Sequence, residues 1–395
     1  MKEMNNKKQL VLIPSAYNHK VMGDIENFID YYMDKFEIYI ICDKYKDNLK
    51  EENKVTYVNN KCSYAQYLKI TADYIIDAGS INGFTKFSNS QKRISVWHGI
   101  PYKNMFVKLD SKYYKQALEY DYGIDLMISP SEFYTKKFLR ESMLYEGNVL
   151  ETAVSRTDSL FLSKEKKNKI KEEIGVPKDK KILLYAPTFR EEGTFKLPFN
   201  PSELIKKLPS DDWIIVTKLH YLNTLENSNN VIDATNYPIV NNLLAISDAL
   251  ITDYSSLFFD YSILQKPTIF YQYDKEQYEE NRGFMFELTD YVDEKYIVQN
   301  EDELYNLVEK IDKIKSNLEK IRKEFYPHQK KDSTKQLVEK LNLDATPRKT
   351  KEIIFLVNEL NQIGGIHNFV LNLAKEFKYK YNSKIIVIGK KEFIK

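Results

Sequence analysis

Short apolar runs recur along the chain, each followed by a polar turn and then by a stretch with helical spacing. Residues 9–14, 37–42, 72–76, 93–97 and 126–129 read as buried strands. Between them, 24–36 carries Ile25, Phe28, Ile29, Tyr32 and Met33 at helical intervals. Residues 64–72 and 132–141 also read as helices, the latter with Ser131 placed to cap it. A Lys/Glu-rich helix over 160–174 stops at Gly175-Val176-Pro177 and marks a boundary region. The pattern then repeats, with strands over 182–186, 212–219 and 231–232, a helix over 240–246 and a charged amphipathic helix pair over 301–325. Near Pro347 it restarts: a strand over 352–358, a Gly turn at Gln362-Ile363-Gly364-Gly365, a helix over 368–377 and a strand over 384–389. Strands alternating with helices predict an α/β protein of parallel sheets with helices on both faces. The expected divisions are 1–160, 161–345 and 346–395. A single β-α-β unit cannot bury both faces of its sheet, so the last either docks on its neighbour or begins a further domain.

The densest signal is Asp248 to Tyr273, DALITDYSSLFFDYSILQKPTIFYQY. Residues 249–252 form a strand, Asp253-Tyr254-Ser255-Ser256 a polar turn, and Leu257, Phe258, Tyr261 and Leu264 follow at helical spacing. Lys266-Pro267 stops the helix, and 268–271 resumes as a strand. A polar turn between a parallel strand and a helix is a place where α/β proteins hold phosphates, on backbone N–H groups and hydroxyls. The plainer reading is that Asp253 and Ser255 only cap a helix. Three further polar constellations follow apolar strands: Trp97-His98-Gly99 with Lys103, Thr188 with Arg190, and Lys218 with His220. Strand carboxyl ends line ligand crevices in doubly wound folds, so these ends point to one site in an interdomain cleft. Two of the five histidines lie there.

Composition narrows the classes. With 59 Lys+Arg against 57 Asp+Glu, the formal net charge of +2 gives no field for nucleic acid. Cys42 and Cys62 have no metal-ligand spacing, no other metal-ligating cluster is visible, and a reducing cytoplasm is the expected compartment. No run of about 18 apolar residues occurs, so a soluble or peripheral protein is expected. The Lys-rich stretches 164–171 and 310–323 read as solvated faces, or as contacts to anionic lipid.

The segments SVWHGIPYK (95–103), LLYAPTFR (183–190), KLH (218–220), SDALITDYSSLFFDYSILQKPTIFY (247–271) and Asn281-Arg282-Gly283-Phe284 together resemble the CDP-glycerol glycerophosphotransferase family of teichoic acid synthesis. The likeness runs in order over about residues 65–335. It implies a GT-B architecture of two Rossmann-like, doubly wound domains. It also implies transfer of glycerol phosphate, or a related polyol phosphate, from CDP-glycerol or CDP-ribitol to a hydroxyl of a lipid-linked glycan, with release of CMP at the inner face of the membrane. By resemblance His98 is the base, and His220 contacts the pyrophosphate or assists the departing phosphate. Ser255 and Ser256 hold the pyrophosphate, Thr188, Arg190, Lys218 and Arg282 contact phosphate or nucleotide, and Asp253 and Gly99 order their loops. Lys103 reads equally as a solvated helix residue. Arg156 and Asp158 survive where the family often reads Gly-x-Pro-Arg-Asn-Asp, but Ala153 and Ser155 replace the turn glycine and proline. The tail from residue 353 is similar to the start of a second GT-B glycosyltransferase, which would make the chain part of a bifunctional polymerase. Two alternatives stay open: a GT-B glycosyltransferase using a nucleotide sugar, and a non-catalytic nucleotide-binding module.

Overall fold

The structure, a computed structural model, describes residues 7–15, 25–43, 48–79, 91–190, 193–220, 222–225, 231–347, 352–357, 365–377 and 382–387. For 279–282 and for most of the last three segments it describes the backbone alone. The chain divides into two compact units, one holding Gln9–Asp34 and Ile38–Leu343, the other holding the residues from Asp344 onward together with Lys35–Glu37 and the stretch up to Lys8.

The larger unit is built on two sheets. The first contains β1 (Gln9–Ile13), β2 (Glu37–Cys42), β3 (Leu49–Glu52), β4 (Val55–Asn59), β5 (Tyr74–Asp77), β6 (Lys92–Ser95), β7 (Leu126–Ser129) and β8 (Asn148–Glu151). Their order is β3-β4-β2-β1-β5-β6-β7-β8. The described pairings are parallel except that of β3 with β4. These two strands went unread in the sequence pattern. β3 is exposed along its length, so it carries no apolar run. Asn53 and Lys54 join the pair with φ of +50° and +65°, the left-handed pair that a tight hairpin requires.

The second sheet uses β9 (Lys181–Tyr185), β11 (Trp213–Thr217), β13 (Val231–Asp233), β14 (Ala249–Thr252), β15 (Thr268–Tyr271) and β16 (Ile297–Val298), while β10 (Gly193–Phe195) and β12 (Asn223–Leu225) pair separately. The order β13-β11-β9-β14-β15-β16 is all parallel, the doubly wound Rossmann order. Leu183, Tyr185, Ile215, Ile251 and Ile269 pack one face against Leu304 and Val308 of the helix Glu301–Val308. On the first sheet, Val11, Ile41, Val58 and Ile75 pack against Ala65 and Leu68 of the helix Ser63–Thr71. The protein is thus an α/β, Rossmann-like molecule. In each sheet the strand order reverses beside the first strand, between β1 and β5 and between β9 and β14.

Several helices are shorter than their periodicity predicts. The 24–36 segment is a 3-10 turn over Glu26–Phe28 followed by one helical turn, Ile29–Tyr32. The 132–141 segment is wound as a π-helix over Tyr134–Arg140, which brings Tyr134, Phe138 and Leu139 to the buried side, and Ser131 Oγ accepts from the Tyr134 amide at 3.2 Å. The Lys/Glu-rich helix starts at Lys164, capped by Ser163, because Ser155–Leu160 forms a separate 3-10 turn. That turn ties the chain's two ends of the unit together. Asp158 accepts from the amides of Ser333 (2.8 Å) and Thr334 (2.7 Å), the first residues of the helix Ser333–Leu341, and Gln329 accepts from the Val154 amide.

In the smaller unit β17 (Glu352–Val357) and β18 (Asn382–Val387) pair in parallel, joined through the helix Gly365–Phe377. The expected Gly turn lies outside the described residues apart from Gly365.

Asp158 supplies both a cap and a negative charge at a helix start, so Asp158→Ala is expected to lower unfolding free energy by about 1–2 kcal/mol. The urea midpoint, at unchanged slope, checks this.

Candidate active site

β6 ends at Ser95, and the chain leaves the sheet through a strained corner. Trp97 sits at φ +50°, an unfavourable region for a bulky side chain, held by packing on Phe106, Tyr120 and Phe138. Gly79 follows β5 at φ +86°, and a Cβ there would stand 2.7 Å from the Trp97 ring and 2.8 Å from His98 Nδ1. Gly99 has φ +135°, and a Cβ there would stand 2.5 Å from Arg156 Nη1. Both glycines therefore make room for the ring and the cation that flank them. His98 Nδ1 lies 3.1 Å from the Ala78 carbonyl oxygen. A carbonyl only accepts, so Nδ1 carries the ring proton and Nε2 holds the lone pair. Burial, and then the Arg156 charge, pull the His98 pKa down to about 4 against the opposing Ala78 hydrogen bond. The ring is neutral at neutral pH.

The second constellation lies where the second sheet's strand order reverses. Asp253, fully buried, follows β14, while Thr188 and Arg190 follow β9. Asp253 Oδ1 accepts from the amides of Thr188 (2.8 Å) and Tyr254 (2.5 Å), and Oδ2 accepts from Arg190 Nη2 at 2.9 Å. Arg190 also grips Asp274 through Nε (2.7 Å) and Nη2 (3.1 Å), and donates from Nη1 to the Thr188 carbonyl. Four of its guanidinium hydrogen-bond directions are thereby used within the protein, so Arg190 clamps these loops together. Its cation lies 4.7 Å from the Tyr278 ring and 5.3 Å from that of Tyr254, which stack on each other at 4.1 Å. Ser255 and the exposed Ser256 make no side-chain hydrogen bond among the described residues. The helix they precede, Leu257–Ser262, is one and a half turns long and lacks a side-chain cap, so the capping reading is not what forms here. Asp253 spends its oxygens across the loop, and Leu264 lies beyond the helix end. The Thr188 hydroxyl is buried with no hydrogen-bond partner among the described residues.

Lys218 and His220 follow β11. Lys218 Nζ donates to the Thr235 carbonyl at 2.7 Å, and burial lowers its pKa, with Asp233 opposing. His220 packs on Phe189, ring centroids 4.3 Å apart. The Leu222 amide donates to His220 Nδ1 at 3.4 Å, which leaves the proton on Nε2. The two histidines therefore hold opposite tautomers.

Two connections join the constellations. Tyr102–Asn104 and Gly283–Met285 pair like a short antiparallel ladder, with Asn104 N to Gly283 O at 3.2 Å and Met285 N to Tyr102 O at 2.9 Å. Lys103 then lies over the Tyr278 ring at 5.1 Å, so it is not a solvated helix residue. The second connection is buried. Arg156 Nη2 pairs with Asp260 Oδ2 at 2.7 Å, and Tyr326 donates to Asp260 Oδ1 at 2.6 Å. Asp158 instead faces the helix Ser333–Leu341, and the Arg282 side chain lies outside the described residues. Among the described residues no group of three or more His, Cys, Asp or Glu converges as a metal site.

The family model for CDP-glycerol:poly(glycerophosphate) glycerophosphotransferases matches residues 2–343. The chain belongs to that family. A teichoic acid poly(glycerol phosphate) polymerase of Bacillus spizizenii is 29% identical over 80% of this chain and 87% of its own length. A teichoic acid glycerol-phosphate transferase of Staphylococcus aureus is 31% identical over 59% of this chain, which spans 65% of that relative. The solved wall teichoic acid polymerase TagF, in a histidine-to-alanine variant, matches with a TM-score of 0.74 at 26% identity, over 86% of this chain and 89% of its own. A histidine-to-asparagine variant of the same polymerase soaked with CDPG matches with a TM-score of 0.73 at 25% identity, over 86% and 88%. Family membership makes this chain a glycerophosphotransferase-type enzyme.

The sequence reading missed Asp274, Asp260, Tyr326 and the Tyr254–Tyr278 stack. Asp274 follows β15, a further strand end of the same sheet, and that signal was available. Asp260 stood out as an acid inside the apolar run LFFDYS. Tyr326 had no local signal, since its partner is 66 residues away.

Asp260→Ala strands a largely buried guanidinium and is expected to cost about 3–5 kcal/mol of stability. Chemical denaturation of the variant measures it.

Proposed function

We propose that the enzyme moves a polyol phosphate from a CDP-activated donor to a hydroxyl on a lipid-linked teichoic acid or capsule glycan, with His98 as base and His220 as hydrogen-bond donor. The opposite tautomers of the two histidines carry this reading. His98 presents a basic Nε2, as needed to take the acceptor proton, while His220 presents N–H to a phosphate oxygen. The acceptor oxygen attacks the polyol-side phosphorus, its proton passes to His98 Nε2, the bond from that phosphorus to the bridging oxygen breaks, and CMP leaves. A pyrophosphate beside the ring raises His98 basicity above that of the unliganded protein.

Ser255 and Ser256 hydroxyls serve as pyrophosphate donors, with Thr188, Lys218 and Arg282 as further contacts. Arg190 and Asp253 hold the loops that present them. Charge on the transferring group is met by these donors, the main requirement of phosphoryl transfer. The two sheets are read as the two Rossmann-like domains of a GT-B enzyme, 1–160 and 161–345, with the site in the cleft between them. Residues 346–395 are read as the start of a glycosyltransferase-like domain. The lipid-linked acceptor puts the enzyme on the inner membrane face, and no helix of the described residues is long and apolar enough to cross it. Glycerol is the favoured polyol, since both the family and the first relatives carry that name, and ribitol is the alternative.

Purified protein given CDP-glycerol, CDP-ribitol or a UDP-sugar with a short lipid-linked acceptor is expected to release CMP and add polyol phosphate by mass. Turnover of the UDP-sugar alone would favour a glycosyltransferase. His98→Ala is expected to cut kcat by about 10²–10⁴-fold. Unaltered product from this variant would fit a silent module. The base must be unprotonated, and His98 is unprotonated above about pH 4. Plotted against pH, kcat/KM is therefore expected to stay level from pH 8 to 5 and to fall below that. An acid limb near the ordinary histidine value of about 6.5 would count against His98.

A further inference from the structure

We propose that Asp274 is a positioning residue for the donor's pyrophosphate: from the loop after β15 it holds Arg190 and the Tyr254 hydroxyl, and so sets the orientation in which Ser255 and Ser256 meet the phosphates. The inference rests on the two serines as pyrophosphate donors, and adds a residue that the sequence motif does not define. The turn has little hold of its own. The helix it opens, Leu257–Ser262, is one and a half turns long and has no side-chain cap. What fixes the turn is the residue before the serines. Tyr254 is fully buried, its amide donates to Asp253 Oδ1 at 2.5 Å, and its hydroxyl donates to Asp274 Oδ1 at 3.2 Å. Its ring stacks on Tyr278 at 4.1 Å and on Phe284 at 5.5 Å.

These holds meet at Asp274. Its Oδ2 accepts from Arg190 Nε at 2.7 Å, and Oδ1 accepts from Nη2 at 3.1 Å as well as from Tyr254. Its backbone carbonyl accepts from the Tyr278 amide at 3.0 Å, within the helix Lys275–Arg282 that carries the ring stacked on Tyr254. One residue thus holds the Tyr254 hydroxyl, the ring beside it and the guanidinium 5.3 Å from it. Neutralising Arg190 does not require Asp274. Asp253, 1% exposed, already pairs with the guanidinium at 2.9 Å, so the three side chains together carry one negative charge more than positive. Surplus negative charge disfavours an anion nearby. What the second carboxylate supplies is direction. Asp253 and the Thr188 carbonyl tie Arg190 to the loops after β14 and β9, and Asp274 brings in the loop after β15 through a two-nitrogen fork.

The test is calorimetric titration of the full chain with CDP, the part common to either donor. Asp274→Asn keeps the shape and removes the charge. On charge alone it favours the anion, whereas loss of position is expected to weaken CDP by about tenfold at unchanged stoichiometry. Misfolding lowers the stoichiometry and leaves Kd alone, so a merely structural role does not imitate this result. The second arm is a cycle with Ser255→Ala and Ser256→Ala together. If Asp274 acts through the serines, removing them costs at least several-fold less in the Asp274→Asn background than in the otherwise wild-type chain. An unmoved or tighter CDP Kd in a folded Asp274→Asn protein overturns the proposal. So do losses that simply multiply, since Asp274 would then act elsewhere. If Asp274→Asn does not fold, Tyr254→Phe, which removes the hydroxyl and keeps the ring, is judged by the same two criteria with an expected weakening of about threefold. Serine substitutions that leave CDP binding unmoved in the otherwise wild-type chain remove the serines from the donor site, and the proposal with them. That outcome is read without any Asp274 variant, so the two failures are told apart.

Discussion

A buried guanidinium must find a carboxylate or the fold is penalised, and this molecule puts that requirement at its two most consequential places. Arg190 binds Asp253 and Asp274, which fixes the loops after β9, β14 and β15 in one arrangement. Arg156 binds Asp260 and braces the corner that carries His98. Neither pair is a cheap source of stability, because two charges must first be stripped of water. What each pair supplies is uniqueness of position, since a misplaced loop leaves a charge unpaired in the interior. Loops at strand carboxyl ends are otherwise among the most variable parts of an α/β protein, so rigid fastening there is what chemistry on a pyrophosphate demands.

Much of the fold was legible because parallel strands buried on both faces leave runs that little else imitates. Leu126–Ser129 and Ala249–Thr252 are strands as the pattern reads, and Val240–Ile246 between them in sequence is the expected helix. Failures came where burial does not control the chain. β3 is exposed throughout and its hairpin depends on two positive φ values that Asn53 and Lys54 only weakly advertise. The short helix after Ser256 ends early, and hydrogen bonding by Asp253 goes sideways to Thr188 and Arg190, not forward to a helix. The residues at strand ends were found by position. Their partners were not, because Arg156 and Asp260 lie 104 residues apart and meet only in the folded chain.

Opposite tautomers in two histidines arise from ordinary backbone neighbours, a carbonyl for His98 and an amide for His220. No special side chain is needed to direct the ring protons. The consequence is that these assignments depend on the path of the main chain after β5 and β11, and so on the sheets themselves. Gly79 is part of the same device, since a side chain there would push the ring off its acceptor.

The ladder between Tyr102–Asn104 and Gly283–Met285 uses main-chain groups alone. Such a fastening is indifferent to the side chains it carries. Lys103 over the Tyr278 ring and Phe284 stacked on Tyr102 and Tyr254 then close the same seam a second time through side chains, so the WHG corner and the segment after Arg282 are joined by two independent kinds of contact.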